Sequence, residues 1–285
     1  MAKVAIITDS TTYLPKELSE GLNINIVPTV VIWNGEELRD GVDIQPDEFY
    51  ERLAKADSMP STSQPSPAAF KDMYEKLKKD GYSDILGLFV SAKLSGTISS
   101  ANQAKELVSG INIEVMDGHS ASMGTGWALL EAAKAAKAGK SLQDCAAIAK
   151  KAGEHTGLML LVDTLEFLHR GGRIGGGARF LGTALNLKPI LEVEDGALEA
   201  RERVRTKAKA LARVLELVEE RIGGRTPLHL AVVHANAEAD AKALLDEAKA
   251  RFNPTMTAVT AVSPSVGTHT GPGTLGVAFM AGYQG

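Results

Sequence analysis

Ile85-Leu86-Gly87-Leu88-Phe89-Val90, followed by Ser91-Ala92-Lys93-Leu94-Ser95-Gly96-Thr97, is the stretch on which the fold turns. Six residues with no polar interruption have the length and texture of a strand buried on both faces. The run stops at small and hydroxylated residues that lead into a helical pattern over 97–109, and a second apolar run, 111–116, follows. Strand, helix, strand at this spacing is a βαβ unit, which requires a parallel sheet with helices packed on it. Upstream the cadence repeats, with apolar runs at 4–7 and 24–33 and helical patterns at 15–21, 46–55 and 66–80. Downstream an Ala-rich helix is expected over 123–138, and Gly139-Lys140-Ser141 breaks the chain after it.

The second half has a different grammar. A short apolar run at 158–162 precedes two strand-like segments, 189–193 and 197–203, joined by Glu194-Asp195-Gly196 in the manner of a hairpin. Val204, Ala208, Leu211, Leu215, Val218 and Ile222 keep helical spacing, and strand 229–234, helix 237–251 and strands 256–262 and 275–279 follow. The expected architecture is therefore α/β in two domains. Residues 1–155 form an N-terminal parallel-sheet α/β/α domain, and residues 156–285 form a C-terminal α+β domain with a mixed or antiparallel sheet.

Composition narrows the function. With 285 residues and a net charge of −4, bulk basicity for nucleic acid is missing. A single cysteine, Cys145, excludes a disulfide framework and a CxxC site, which fits a reducing compartment. MAKVAIITDS lacks the signal-peptide pattern, and no run approaches the ~18 apolar residues of a membrane span. A cytoplasmic protein is expected, with at most transient membrane contact.

Hydroxyls concentrate where strands end. Thr8-Asp9-Ser10-Thr11-Thr12 follows the first strand, and reads equally as a polar site or as a cap for the next helix. Ser58 to Pro67 packs three prolines with four serines and Thr62; Ser66 and Pro67 read as a cap and first helical residue, leaving Thr62 and Ser63 without a structural reason. Ser95, Gly96 and Thr97 stand at a helix start, where free N–H groups and the dipole favour an anion. Arg170 to Arg179 carries three arginines among glycines and no acid, and the basic run resumes from Arg201 to Lys209, a pattern suited to phosphate or an acidic partner or to a solvated face.

Gly271, Gly273 and Gly276 spell G-x-G-x-x-G, but they open no helix of a βαβ unit, so no dinucleotide is expected. His229 and His234 are five apart on a strand and point to opposite faces, so no metal pair is readable. No G-x-S-x-G elbow is present, and hydroxyls without a paired base favour binding over nucleophilic chemistry.

The ordered set Thr8-Asp9-Ser10, Pro60 to Ser66, Leu94-Ser95-Gly96-Thr97, Asp163 to Leu168 with Gly171-Gly172-Arg173-Ile174, and Val266 to Gly273 resembles the DegV family along the whole chain. The resemblance implies a bacterial protein that holds one long-chain fatty acid between two domains, with no other cofactor and no metal. It implies that hydroxyls of the two loops hold the carboxylate and the histidine of Gly-Thr-His-Thr-Gly approaches it. These map onto Thr62, Ser63, Ser95, Gly96, Thr97, His269 and Thr270. Several members are the carrier subunit of a two-part fatty acid kinase, in which a separate ATP-dependent subunit makes acyl phosphate for phospholipid synthesis. Docking of that subunit would fall to Arg170, Arg173 and Arg205. Gly118-His119 departs from the family's Ser after Asp117, and no role is assigned there.

A non-catalytic lipid carrier is thus the leading expectation. The alternatives are a stand-alone hydrolase or transferase using Ser95 or His269, and a lipid-sensing regulatory protein that docks an acidic partner through its basic face.

Overall fold

Residues 3–181 and 187–285 are described by the computed structural model of the chain. In chain order the first half holds β1 (Val4–Asp9), α1 (Lys16–Ser19), β2 (Ile24–Val27), β3 (Val30–Trp33), β4 (Glu36–Arg39), α2 (Pro46–Leu53), β5 (Ser61–Ser63), α3 (Pro67–Lys79), β6 (Asp84–Phe89), α4 (Thr97–Lys105), β7 (Asn112–Asp117), α5 (Met123–Lys137) and α6 (Leu142–Gly153). The second half holds β8 (Thr156–Leu161), α7 (Glu166–Arg170), β9 (Lys188–Glu194), β10 (Ala197–Val204), α8 (Lys207–Ile222), β11 (Leu228–His234), α9 (Glu238–Phe252), β12 (Met256–Ala261), α10 (Pro264–Thr270) and β13 (Leu275–Ala281).

The βαβ reading holds. β2-β1-β6-β7 form a four-stranded sheet, parallel throughout. The second half forms a six-stranded sheet, β10-β9-β8-β13-β11-β12, antiparallel except for the β11–β12 pair, so it is mixed. The run 24–33 is not one strand. Pro28 has no N–H to give a ladder, and the chain breaks there into β2 of the parallel sheet and β3 of a separate antiparallel sheet, β4-β3-β5. Ser61–Ser63, expected as loop, is the edge strand β5, with Thr62 opposite Val31.

Alternation along the central strands explains the layering. Ala5, Ile7, Ile85 and Phe89 face one way, into a cluster with Phe70 and Tyr74 of α3. Val4, Ile6, Leu86 and Leu88 face the other way, onto α5 and α6. Those same helices receive Leu158, Leu160, Ala231 and Val233 from the six-stranded sheet, whose far face, with Met159, Leu161, Leu230 and Val232, packs on α8 and α9. The order is helices, sheet, helices, sheet, helices, and the middle layer serves both sheets. This is why α5 is apolar nearly all round: a helix between two sheets has no solvent face.

On α8 the buried stripe runs through Ala210, Val214, Leu217 and Val218; Ala208 is exposed and Val204 lies in β10, a small shift from the expected spacing.

Candidate functional site

Thr62, Ser95 and His269 are brought together from three elements. β5 fixes Thr62 through its ladder with β3, and Thr62 Oγ1 lies 2.7 Å from His269 Nε2. His269, set by sequence among glycines, is in fact on the helix α10, which Ser263 caps by accepting the Val266 N–H at 3.3 Å. Gly171 lies flat against the imidazole, where an added Cβ would fall 2.0 Å from Nδ1, so only glycine fits. Ser95 Oγ lies 2.8 Å from Thr97 Oγ1 and accepts the Thr97 N–H at 3.3 Å, just ahead of α4. Gly96 is the residue before α4, packed under the Gln64 amide. Ser63 donates to the Gln64 carbonyl at 3.3 Å, and Thr270 to the Val266 carbonyl at 3.2 Å; both line the cavity described below, whereas Thr97 is fully buried behind Ser95.

The protonation state is set by burial. His269 is pushed down to about 4, first by desolvation and second by the positive charge of Arg173, so it is neutral at physiological pH. Its Nδ1 is buried without a hydrogen-bond partner. Arg173 itself is held by the carbonyls of Leu94, at 3.1 Å, and Gly171, at 2.7 Å, and no acid pairs with it among the described residues. It stands at the cavity wall beside His269. Arg170 lies on the outer surface in an ion pair with Glu166 at 2.6 Å. Arg205 is exposed in the turn before α8, with no acid partner among the described residues.

These groups line one cavity, whose empty space, open mouth included, is about 850 Å³. Much of the remaining wall is aliphatic, with the hydroxyls of Thr11, Thr29, Ser122, Ser265 and Thr274 among it. Leu94 comes from the four-stranded half, Leu158, Leu160 and Val233 from the six-stranded sheet, and Leu168 and Val266 from α7 and α10. A lining of donors and aliphatic side chains suits an amphiphile with one anionic head.

Behind the cavity lies a polar box that no local sequence pattern announced. Asp40, fully buried, accepts from Ser10 at 3.0 Å, Thr29 at 3.1 Å and the Ser265 N–H at 3.3 Å through Oδ2, while Oδ1 has no partner. It therefore ties α10 to β1 and the small sheet. Of the strand-end cluster, Asp9 accepts the Thr11 and Val90 N–H groups and so caps the single turn at 10–12, Ser10 joins the box and Thr11 lines the cavity; the expected cap on the next helix is not made, since α1 starts after Pro15 with no side-chain cap. No cation reaches Asp40 among the described residues, and desolvation raises its pKa to about 6 against the pull of the surrounding hydroxyls.

The sign of the consequence is fixed. A carboxyl raised on folding contributes stability below its unfolded value of 3.8 that is lost as pH rises through about 6. His269, lowered on folding, contributes above 6.5 and loses that contribution as pH falls through about 4. The two slopes oppose each other, which hides both. Asp40→Asn removes one of them, so denaturant midpoints of variant and wild type, compared at about pH 4 and about pH 7, should diverge in favour of the variant by about 2–3 kcal/mol at the higher pH. A pH-independent offset would contradict this assignment.

The profile described as "Uncharacterised protein, DegV family" matches residues 3–282. The chain belongs to the DegV family. Among solved structures, the fatty-acid-binding DegV family protein of Thermus thermophilus superposes with a TM-score of 0.91 at 35% identity, covering 98% of this chain and 99% of that one. DegV of Bacillus subtilis, described as a fatty acid binding protein, gives 0.90 at 32%, covering 99% and 100%. A stearic-acid-binding protein of Eubacterium ventriosum gives 0.91 at 25%, covering 99% of each chain. The fold expected from the motifs is thus the fold of the DegV family. Among the described residues no helix is long and apolar enough to cross a membrane, and no group of three metal-ligating side chains converges.

Sequence reading missed three parts of this site. They are Gln64, whose amide packs over Gly96, Arg173, which the motifs point to partner docking rather than to the cavity wall, and Asp40, which no motif marks. Its partners lie 30, 11 and 225 residues away in sequence, and no spacing rule reaches that far.

Proposed function

We propose that this chain binds one long-chain fatty acid between residues 1–155 and residues 156–285, and presents its carboxylate to a separate ATP-dependent kinase subunit that converts it to acyl phosphate. The observation that carries the reading is the cavity's lining: hydroxyls, a neutral histidine and an arginine with no acid partner among the described residues, together with many aliphatic side chains. A carboxylate is acceptor-only and matches donors that no acid already occupies. Each buried CH₂ contributes about 0.8 kcal/mol, so a C16 chain gains roughly 12 kcal/mol before ordering costs. Fatty-acid binding by structures of this fold at 25–35% identity supports the same ligand.

A carrier needs no base on its hydroxyls. Ser95 is paired with Thr97 and not with His269, and nothing orients the imidazole through Nδ1, so the constellation lacks the relay that a serine nucleophile uses. Arg205, exposed and without an acid partner among the described residues, and Arg170 are assigned to docking the kinase, with Arg173 on the cavity wall where the partner would reach the head group.

Two measurements test this. Stearate should bind at least tenfold more tightly than methyl stearate, which keeps the tail and loses the charge; equal affinities would remove the head-group assignment. With a fatty acid kinase subunit supplied, Arg205→Glu should cut acyl-phosphate formation at least tenfold while stearate binding stays within twofold of wild type. Full activity in that variant would remove Arg205 from the docking face.

A further inference from the structure

Further hydroxyls line the cavity besides those assigned to the head group, and all but one of those described are engaged. Thr11 donates to Asp9, Thr29 and Ser265 bond each other at 2.6 Å, and Thr274 donates to the carbonyls of Thr270 and Gly271. Ser122 differs. It lines the same cavity at 3% exposure, and its Oγ is buried with no hydrogen-bond partner among the described residues.

The residue stands immediately before α5, a fifteen-residue helix, yet its side chain does not cap it. The Gly124, Thr125 and Gly126 N–H groups turn back to the Ala121 and Ser122 carbonyls instead. Ser122 holds φ 50°, ψ −140°, a backbone that favours glycine, so a side chain is carried here against local preference. Ala121 precedes it on the cavity wall, which Leu158 and Leu160 also line. None of Thr62, Ser95, His269 or Arg173 makes a hydrogen bond to it.

We propose that Ser122 hydrogen-bonds an oxygen carried part-way along the acyl chain, so that the cavity favours an oxygenated long-chain acid over its plain saturated counterpart. This rests on the fatty-acid reading above. A serine hydroxyl has one donor and two acceptor sites and can meet a chain hydroxyl in either sense, or a keto oxygen as donor. The positive end of the α5 dipole favours an electronegative atom at the same place. A chain made only of methylenes leaves Oγ unmet in an apolar wall, an unfavourable arrangement that a matching ligand oxygen relieves. Preference for the matching acid is on the order of tenfold.

The test is calorimetric titration of wild type with stearate and with a series of hydroxystearates that steps the hydroxyl along the chain, repeated on Ser122→Ala and Ser122→Gly. The glycine variant suits the left-handed backbone and separates loss of the hydroxyl from loss of folding. Wild type should bind one positional isomer about tenfold more tightly than the others, and both variants should flatten the series, lowering that isomer's advantage over stearate by a similar factor. A flat series in wild type with stearate still bound, or a preference that survives both substitutions, overturns the proposal. Failure of wild type to bind stearate at all overturns the fatty-acid reading beneath it, and this proposal with it.

Discussion

Thr62→Ala combined with Ser95→Ala lowers affinity for stearate at least a hundredfold, and moves the melting temperature by only a few degrees. Each hydroxyl facing a carboxylate makes a hydrogen bond to a charged acceptor, worth about 1.5–3 kcal/mol, and two such losses correspond to roughly 10²–10⁴ in dissociation constant. The folded state loses far less. Thr62 gives up one contact, to His269, and Ser95 two, to the hydroxyl and the N–H of Thr97, all part-buried on the cavity wall. Displacement of a fluorescent fatty acid and a thermal melt read the two quantities separately. A loss below tenfold would mean that other groups hold the head.

Trp127→Ala is expected to destabilise the chain by about 3–5 kcal/mol, in a single transition that takes both sheets together. The side chain is 1% exposed, donates from Nε1 to the Ala278 carbonyl at 3.4 Å and packs its ring 5.4 Å from that of His229. It lies on α5, in the cluster that receives side chains from both sheets. The variant keeps one tryptophan, Trp33, on the small sheet of the first half, so its fluorescence reports that half alone. Far-ultraviolet circular dichroism and Trp33 fluorescence should shift together in denaturant. A Trp33 transition left in place would show that the two sheets fold on independent cores.

What could be read from sequence follows from burial. β1 and β6 are apolar on both faces because helices cover both, and uninterrupted runs announce such strands. The small sheet was hidden for the opposite reason: β4 is Glu36-Glu37-Leu38-Arg39, mostly exposed, and β5 is three residues of serine and threonine. α10 concealed itself behind Gly-Thr-His-Thr-Gly, although Ser263-Pro264, a cap followed by a first-turn proline, carried the signal. Ser66-Pro67 carried the same signal for α3 and was legible, with Ser66 accepting the Ala69 N–H at 3.1 Å.

The residues proposed for the head group are legible through their motifs, not through their geometry. Thr62 and His269 are 207 residues apart, and only β3 pairing with β5 under α10 brings them to 2.7 Å. Asp40 and Ser122 show the limit more sharply. One is an acid in an ordinary turn sequence, Arg39-Asp40-Gly41, and the other a serine in a helix start; what distinguishes both is an oxygen buried without a partner, a property of the fold alone.

The central claim is that the cavity holds one fatty acid. Native mass spectrometry of the chain purified from a bacterial host, followed by denaturing extraction, tests it most directly. The account predicts one C14–C18 acid per chain, absent from the Thr62→Ala/Ser95→Ala variant. A wild-type chain that arrives empty and takes up no added fatty acid would contradict it.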